Sequence, residues 1–228
     1  MSRVIAVVEG QTEQGFVRDV LAPFLATKNV NMAARLVGKP GHKGGDCRYP
    51  RAKRDVLLLL RQESATVVTT MFDFYALPDS WPGRTEAKKA PFCRKADIVE
   101  TAVKKDILGE LGTSFDERRF CPYIQMHEFE ALLFSNPDRF AQEIQRVDLS
   151  AKFRAIREEF QTPEDINDSP ETAPSKRIEN LFPRYEKPLF GVLAVVGIGL
   201  PAIRLECPHF NDWLNRLEAL PGVFSSQV

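Results

Sequence analysis

The hydrophobic residues of this chain follow two alternating patterns, one typical of buried strands and one typical of amphipathic helices. Residues 3–9 form a largely apolar, β-branched run before Gly10, which predicts a strand buried on both faces of a parallel sheet. Apolar residues then recur at helical spacing after Thr12, the expected N-cap: Phe16, Val17, Val20, Leu21, Phe24 and Leu25. The first 25 residues therefore predict a strand, a tight turn and a helix.

The same alternation continues through the first 135 residues. Further strands are predicted at 31–37, 65–75 and 123–126, and helices near 50–62, near 91–110 and from His127 onward. Because parallel strands need crossover connections, this order predicts an α/β fold with an open, mostly parallel sheet flanked by helices. Ligands are expected beyond the carboxyl ends of such strands.

A stretch rich in Pro, Asp and Ser at 163–176 precedes a mainly helical C-terminal portion. We predict a metal-binding α/β domain over residues 1–135 and a mainly helical extension over residues 136–228 packed on it. The apolar run at 189–200 is interrupted by glycines and is shorter than the roughly 20 residues that a membrane span needs. We therefore expect a soluble protein without membrane contact.

Composition and charge narrow the functional classes. The 31 basic and 31 acidic residues cancel, so any attraction to nucleic acid must come from local patches. The 43% hydrophobic content is enough for a sizeable core. The four cysteines form no CxxC pair and show no zinc-ligand spacing, which predicts free thiols in a reducing, cytoplasmic compartment.

Carboxylates lie where two of the predicted strands end. Glu9 ends the first strand and Glu13 opens the following helix, so both can face one crevice across the turn at Gly10. Asp73 ends the third strand, and adjacent strand ends would bring it close to Glu9. Crowded carboxylates suit Mg²⁺ or Mn²⁺, which prefer oxygen ligands. The alternatives are a helix-dipole role for Glu13 and ordinary solvated strand ends for the other two.

A polar segment, His127-Glu128-Phe129-Glu130, follows the fourth predicted strand. In a helix that begins here, His127 and Glu130 share one face. We expect Glu130 to be a further metal ligand and His127 to orient a carboxylate or transfer a proton. A buried histidine held by a backbone carbonyl is the structural alternative.

Basic residues concentrate in two predicted loops that flank the same crevice. Those assigned to nucleic-acid binding are Lys43, Arg48, Arg51, Arg84, Lys88 and Lys89. Further along the chain, Lys176 and Arg177 are candidates for stabilising charge on a scissile phosphate. Solvated loops and helix starts would give similar patterns of charge. The chain contains no GxxxxGK[ST], GxGxxG or GxSxG motif, so P-loop, dinucleotide-binding and α/β-hydrolase chemistry lack their signatures.

The acidic motifs resemble those of TOPRIM domains, which occur in topoisomerases, primases and overcoming-lysogenisation-defect (OLD) nucleases. The segment VEGQTE resembles the OLD form of the first motif, in which Glu9 and Glu13 would both bind Mg²⁺. Asp73 matches the first aspartate of the DxD motif, and Glu130 resembles the late glutamate. Tyr75 stands at the position of the second aspartate, and Asp79 in the following loop is a substitute candidate.

A second resemblance spans nearly the whole chain. The segments VEGQTE, DFYALP, IQMHEFEALLF, APSKRI and CPHF resemble a small, standalone prokaryotic TOPRIM-like family of unknown function. Its members are similar to the nuclease half of two-gene systems, often in phage defence. This resemblance implies an AAA- or ABC-type ATPase as partner.

The leading hypothesis is a Mg²⁺- or Mn²⁺-dependent nuclease acting on DNA or RNA. In it, the metal would activate a water, Lys176 or Arg177 would stabilise charge on the phosphate, and the ligands would be Glu9, Glu13, Asp73 and Glu130. One alternative is a non-catalytic or latent module that binds the ATPase. Another is a phosphate-ester hydrolase for a small molecule. The sequence leaves the oligomeric state open, including a homo-oligomer.

Overall fold

A parallel β-sheet forms the centre of the protein. The structure, a computed structural model, describes residues 1–38, 47–62, 65–166, 169 and 171–225, with side chains up to residue 222. The strands in this part of the chain are β1 (Ser2–Val8), β2 (Val30–Leu36), β3 (Thr66–Asp73), β4 (Phe120–Cys121) and β5 (Ile124–Gln125). Their order is β2-β1-β3-β4, with β5 also paired to β3, and these pairings are parallel.

The strand β1 is buried on both faces because its apolar run contains no polar alternation. Val4, Ala6 and Val8 enter one hydrophobic core, while Ile5 and Val7 enter the core on the opposite face. This strand pairs with β2 on one side and with β3 on the other. The carboxyl ends of β1 and β3 are therefore neighbours.

The fourth predicted strand, at 123–126, is confirmed as β5, and β4, a short strand that was not predicted, pairs with β3 just before it. Pro122 lies between them and has no N–H to donate to the ladder. The Thr70 hydroxyl bridges the gap, since it bonds to both the N–H and the carbonyl of Tyr123 at 2.9 Å. The sheet therefore continues past the proline to Gln125.

Helices cover both faces of the sheet. One face packs against α3 (Tyr49–Gln62), α4 (Arg84–Lys89) and α5 (Phe92–Leu111). The other face packs against α1 (Gln11–Phe16), which continues through a π-helical turn (Val17–Leu21) into α2 (Ala22–Ala26). The helices predicted near 50–62 and near 91–110 are thus confirmed as α3 and α5.

The C-terminal half adds helices to the α1 side of the sheet. They are α6 (Pro137–Glu143), α7 (Ser150–Glu158), α8 (Pro174–Leu181), α9 (Val192–Ile198), α10 (Leu200–Glu206), α11 (Pro208–Glu218) and α12 (Leu220–Ser225). Trp213 of α11 stacks on Tyr123 at 4.3 Å, and its indole N–H donates to the Thr69 hydroxyl of β3 at 2.9 Å. The C-terminal helices therefore share one hydrophobic core with the sheet.

The predicted fold class is confirmed: a parallel α/β sheet flanked by helices, with a helical C-terminal portion. Shorter segments connect these elements, namely the 3₁₀ helices Glu117–Arg119, Phe129–Ser135, Val147–Leu149 and Pro163–Asp165 and the π-helical turn Lys187–Gly191. Among the described residues, no individual helix has the length and apolar composition to cross a membrane. One pair, Lys187–Ile198 with Leu200–Glu206, meets that requirement jointly but bends by 88°.

Candidate functional site

Three separate segments bring acidic side chains together beyond the carboxyl ends of β1 and β3. Glu9 directly follows β1, and Asp73 is the last residue of β3. Glu130 lies in the 3₁₀ helix Phe129–Ser135, which the chain enters shortly after β5. Glu9, Glu13, Asp73 and Glu130 interact electrostatically with one another, so the predicted gathering of these residues is present. We refer to these four residues and Glu128 as the acidic cluster.

The turn after β1 is fixed by Glu13 rather than by Thr12. Gly10 is the N-cap of α1, and its backbone N–H donates to Glu13 Oε2 at 2.8 Å. Thr12 lies inside the helix, so its predicted N-cap role is wrong. A carboxylate in the first turn is stabilised by the helix dipole and satisfies a free N–H. This contact occupies one oxygen of Glu13 and holds the side chain at the carboxyl edge of the sheet.

Asp73 connects the end of β3 to the segment that carries Glu130. Its Oδ1 atom accepts a hydrogen bond from the Phe129 backbone N–H at 3.0 Å. Phe129 begins the 3₁₀ helix, whose first backbone donors lack partners within the helix. The Asp73 carboxylate therefore acts as a cap for this helix and places Glu130 beside the end of β3.

Lys187 provides a positive charge at the acidic cluster. Its Nζ lies 3.1 Å from Glu130 Oε2 and 3.6 Å from Glu128 Oε1. Glu128 is held from the other side, since its Oε2 atom accepts the Ser175 backbone N–H at 2.9 Å. Although burial lowers the pKa of Lys187, the charges of Glu130, Glu128 and Asp73 raise it above its usual value. Lys187 therefore stays protonated at neutral pH.

Burial raises the pKa values of the two strand-end carboxylates. Desolvation raises the pKa of Glu9, while a backbone hydrogen bond from Asp73 and the charge of Lys187 act against that rise. Desolvation and the negative charges of Glu13 and Glu9 raise the pKa of Asp73 well above its ordinary value. The fully ionised cluster is therefore unfavourable without further positive charge.

Burial raises the pKa values of Glu13 and Glu130 in the same way. Desolvation is the main cause that raises the pKa of each to about 7. The charge of Glu9 raises the Glu13 pKa further, and Lys187 opposes the rise at Glu130. Near neutral pH, both carboxyl groups are therefore poised between the protonated and ionised forms.

The donor chemistry of the cluster fits a hard divalent cation. Five carboxylates face one ammonium group, and two buried oxygens, Glu9 Oε2 and Glu130 Oε1, accept no hydrogen bond from the described residues. Such atoms are costly unless they gain a partner. Within the described ranges, no three His, Cys, Asp or Glu side chains are arranged as a ready-made metal site. Binding of one ion by three of these carboxylates would therefore require their side chains to rotate.

Two glycines allow the C-terminal half to place Lys187 over the cluster. A Cβ atom on Gly15 of α1 would lie 2.7 Å from a methyl group of Val192, at the start of α9. A Cβ atom on Gly191 would lie 3.2 Å from the Thr12 methyl group. The π-helical turn that carries Lys187 therefore packs directly on α1, and such turns are frequent at functional sites.

His127 does not share a face with Glu130, because the segment around it is not helical. Its backbone has a left-handed φ of 58°, and the 3₁₀ helix begins only at Phe129. The His127 ring is buried, stacks on Phe92 at 5.4 Å and meets the edge of Phe74 at 6.4 Å. Both phenylalanines pack in the hydrophobic core on the α3–α5 side of the sheet. The helical-face argument for a catalytic His127 is therefore wrong.

The two candidate cations of α8 occupy different surroundings. Lys176 is exposed, pairs with Glu179 at 2.6 Å and directly follows Ser175, whose N–H binds the cluster residue Glu128. The Arg177 guanidinium instead binds Glu159 and the Thr172 carbonyl, and it lies over the ring of Phe160. These contacts hold Arg177 in place as part of the helix packing. Lys176 remains at the rim of the cluster.

The predicted basic surface is only partly available. Arg84 is 4% exposed, its guanidinium lies 3.8 Å from the centre of the Phe74 ring, and its Nε donates to the Leu77 carbonyl. A phosphate cannot reach it, so its assignment to nucleic-acid binding is wrong. Arg48, Lys88 and Lys89 are exposed, Arg51 is half-buried, and Lys43 lies outside the described residues.

The residues after Asp73 do not restore a second aspartate to the cluster. Tyr75 is exposed on the turn that follows β3. Asp79 is exposed and forms an ion pair with Lys88, which lowers the pKa of Asp79. The sequence-based substitute for the missing aspartate is therefore engaged in a surface contact.

Sequence reasoning missed Lys187 and the involvement of Glu128. Glu128 lies between two residues that were selected, but a helical reading of the segment directed attention to Glu130. Lys187 directly precedes the glycine-interrupted apolar run at 189–200. A single cation at the start of an apolar run is the sequence feature that could have indicated its role.

Comparison with known proteins identifies a family without an assigned activity. A family model described as "Domain of unknown function (DUF4276)" matches residues 8–218. A solved structure of the C-terminal region of the Xanthomonas campestris pv. campestris OLD protein aligns with 100% of this chain and 99% of that chain, at 13% identity and a TM-score of 0.45. No curated protein matches the chain.

The close packing at Gly15 predicts that a single methyl group will disturb the site. Gly15→Ala should lower the free energy of unfolding by about 1–3 kcal/mol, because Val192 cannot move away without shifting α9. Gly109→Ala is the matched control, since a Cβ there meets nothing within 4 Å, and it should be neutral or stabilise by about 0.4–1 kcal/mol. Urea denaturation measures both, and equal stabilities would contradict the packing described for Gly15.

The raised pKa values predict a stability that falls as the pH rises. Glu13 and Glu130 titrate near 7 in the folded protein but near 4.5 when unfolded, so their contribution is complete below pH 4.5 and is lost through pH 7. In the presence of a chelator, the melting temperature should fall between pH 5.5 and 7.5, and Glu13→Gln should flatten this slope. Asp79→Asn should leave the slope unchanged because Asp79 titrates below this window. A melting temperature that rises over this range in the wild type would refute the assignment.

Proposed function

The chain belongs to the DUF4276 family of unknown function, and we propose that it is a divalent-metal-dependent nuclease that hydrolyses phosphodiester bonds in DNA or RNA. The observation that carries this proposal is the acidic cluster, where buried and half-buried carboxylates from three segments meet and two of their oxygens accept no hydrogen bond from the described residues. A structural role alone does not require so much buried negative charge. Proteins keep such arrangements mainly at functional sites.

In this proposal Glu9, Glu13, Asp73 and Glu130 hold the metal ion. Each has an oxygen that the hydrogen bonds described above leave available, and their raised pKa values fall once a cation is present. A bound Mg²⁺ or Mn²⁺ would lower the pKa of a water and neutralise charge on the phosphate. The protein supplies the fixed positions: Gly10 holds Glu13, and Phe129 holds Asp73.

Lys187 takes the role that the sequence suggested for Lys176 or Arg177. Its ammonium group is held by Glu128 and Glu130 at the cluster, so it can bind a phosphate oxygen and offset the charge that develops during cleavage. Lys176 at the rim is available for an adjacent phosphate. Arg48, Lys88 and Lys89 are exposed and could add contacts to the phosphates of a polymeric substrate.

Cleavage assays with isosteric variants test this proposal. Glu9→Gln and Asp73→Asn should each reduce cleavage of plasmid DNA, single-stranded DNA or tRNA by roughly 100-fold or more, while the thermal melt stays close to that of the wild type. The amide that Asp73→Asn introduces keeps an oxygen for the Phe129 N–H, so the fold is preserved. Asp79→Asn serves as the control because Asp79 is exposed and pairs with Lys88. Full activity in either cluster variant would eliminate the nuclease proposal.

The assay should include the product of the neighbouring gene, because the sequence resemblance implies an ATPase partner.

A latent or non-catalytic module that binds this ATPase is the second candidate. Two observations favour it: Tyr75 replaces the second aspartate, and the described residues contain no ready-made group of three metal ligands. Metal binding distinguishes the two candidates, because an ion that binds only the folded form at 100 times its Kd adds about 2.7 kcal/mol of stability.

Millimolar Mn²⁺ should raise the melting temperature of the wild type by several degrees at pH 7.5. Roughly 2–4 °C accompanies each kcal/mol in a chain of this size. The shift should shrink at pH 5.5, because protons compete for Glu13 and Glu130, and it should disappear in Asp73→Asn. Absence of any shift in the wild type would favour the binding module.

A further inference from the structure

Tyr75 differs from the other tyrosines in its exposure. Tyr49, Tyr123 and Tyr185 are 8%, 0% and 8% exposed, whereas Tyr75 is 36% exposed. The hydroxyl groups of Tyr49 and Tyr123 bond to Asp106 and Gln125. Among the described residues, no ring contact or side-chain hydrogen bond involves Tyr75. An aromatic side chain is therefore presented to solvent near the acidic cluster.

The backbone around Tyr75 is firmly held. Its own N–H donates to the His127 carbonyl at 2.9 Å, and the N–H of Phe74 donates to the Gln125 carbonyl at 2.9 Å. The Ala76 N–H closes the turn onto the Asp73 carbonyl at 3.1 Å. The flanking side chains of Phe74 and Leu77 are buried. The exposure of Tyr75 thus belongs to a fixed turn, and a ligand meets a ring whose backbone is already ordered.

The position of this ring relates it to the proposed cleavage site. Tyr75 follows Asp73 by two positions, so their Cα atoms lie within about 7 Å of each other. Cationic groups lie at the same cluster: the charge of Lys187 acts on Asp73, and Lys176 directly follows Ser175, whose N–H binds the cluster residue Glu128. An exposed aromatic ring beside cations is the combination that binds single-stranded nucleic acid, where bases stack on rings and phosphates contact cations.

Resting on the proposed nuclease function, we propose that Tyr75 stacks on an unpaired nucleobase next to the scissile phosphate, so that the substrate is single-stranded nucleic acid. In a duplex, both faces of each base are covered by neighbouring bases, and extruding one costs a few kcal/mol. A single strand exposes the faces of its bases without the cost of extruding a base from a duplex. Tyr75 is then a positioning residue that selects single strands and sets their register against Asp73.

Oligonucleotide binding and cleavage by the full chain test this inference. The probes are a 12-residue single strand containing 2-aminopurine, in DNA and RNA versions, and the corresponding duplexes. Wild type should bind at least one single strand more tightly than its duplex and quench the 2-aminopurine fluorescence. Tyr75→Ala should weaken that binding by roughly 5- to 150-fold and abolish the quenching, since stacking is worth about 1–3 kcal/mol per base. It should raise KM and leave kcat nearly unchanged.

Tyr75→Phe keeps the ring and should remain within about twofold of the wild type, while Val147→Ala, at an exposed apolar residue outside the site, controls for surface changes. Equal binding by wild type and Tyr75→Ala, or a preference of the wild type for duplex, overturns the inference. Cleavage that depends on Glu9 but not on Tyr75 leaves the nuclease proposal intact and rejects the role of Tyr75. Binding that depends on Tyr75 without any cleavage supports the stacking and rejects the nuclease.

Discussion

Mutual repulsion among buried carboxylates is the constraint on which this structure depends. Five acidic side chains and one lysine share the carboxyl edge of the sheet, and burial raises the pKa values of Glu9, Glu13, Asp73 and Glu130. The fold tolerates this arrangement because backbone N–H groups and Lys187 stabilise part of the charge. The remaining negative charge favours protonation, so the site is sensitive to pH, and the proposed metal ion would supply the missing positive charge.

Much of this site could be predicted from the sequence because strand ends are easy to locate. The apolar run before Glu9 and the β-branched run before Asp73 predict two parallel strands, and neighbouring carboxyl ends bring their last residues together. The order of the helices on both faces also follows from hydrophobic periodicity. These features are local in sequence, or they follow from the right-handed connection rule.

The cation and the backbone caps could not be predicted in the same way. Lys187 meets Glu130 across 57 positions of the chain, and the contact depends on close packing between Gly15 and Val192. The assumed helix at His127 failed because a left-handed residue breaks the segment before Phe129. Likewise, Arg84 looks like a solvated loop cation in the sequence, but its guanidinium is buried on Phe74. Tertiary packing decides each of these cases.

The site draws on residues that lie far apart in the sequence, which has a consequence for synthesis of the protein. Glu9 and Asp73 leave the ribosome well before Lys187 and the turn that seats it on α1. A nascent chain can form the sheet and gather its acids before their balancing charge exists. The centre is therefore completed only after the turn that carries Lys187 has been synthesised and has packed on α1.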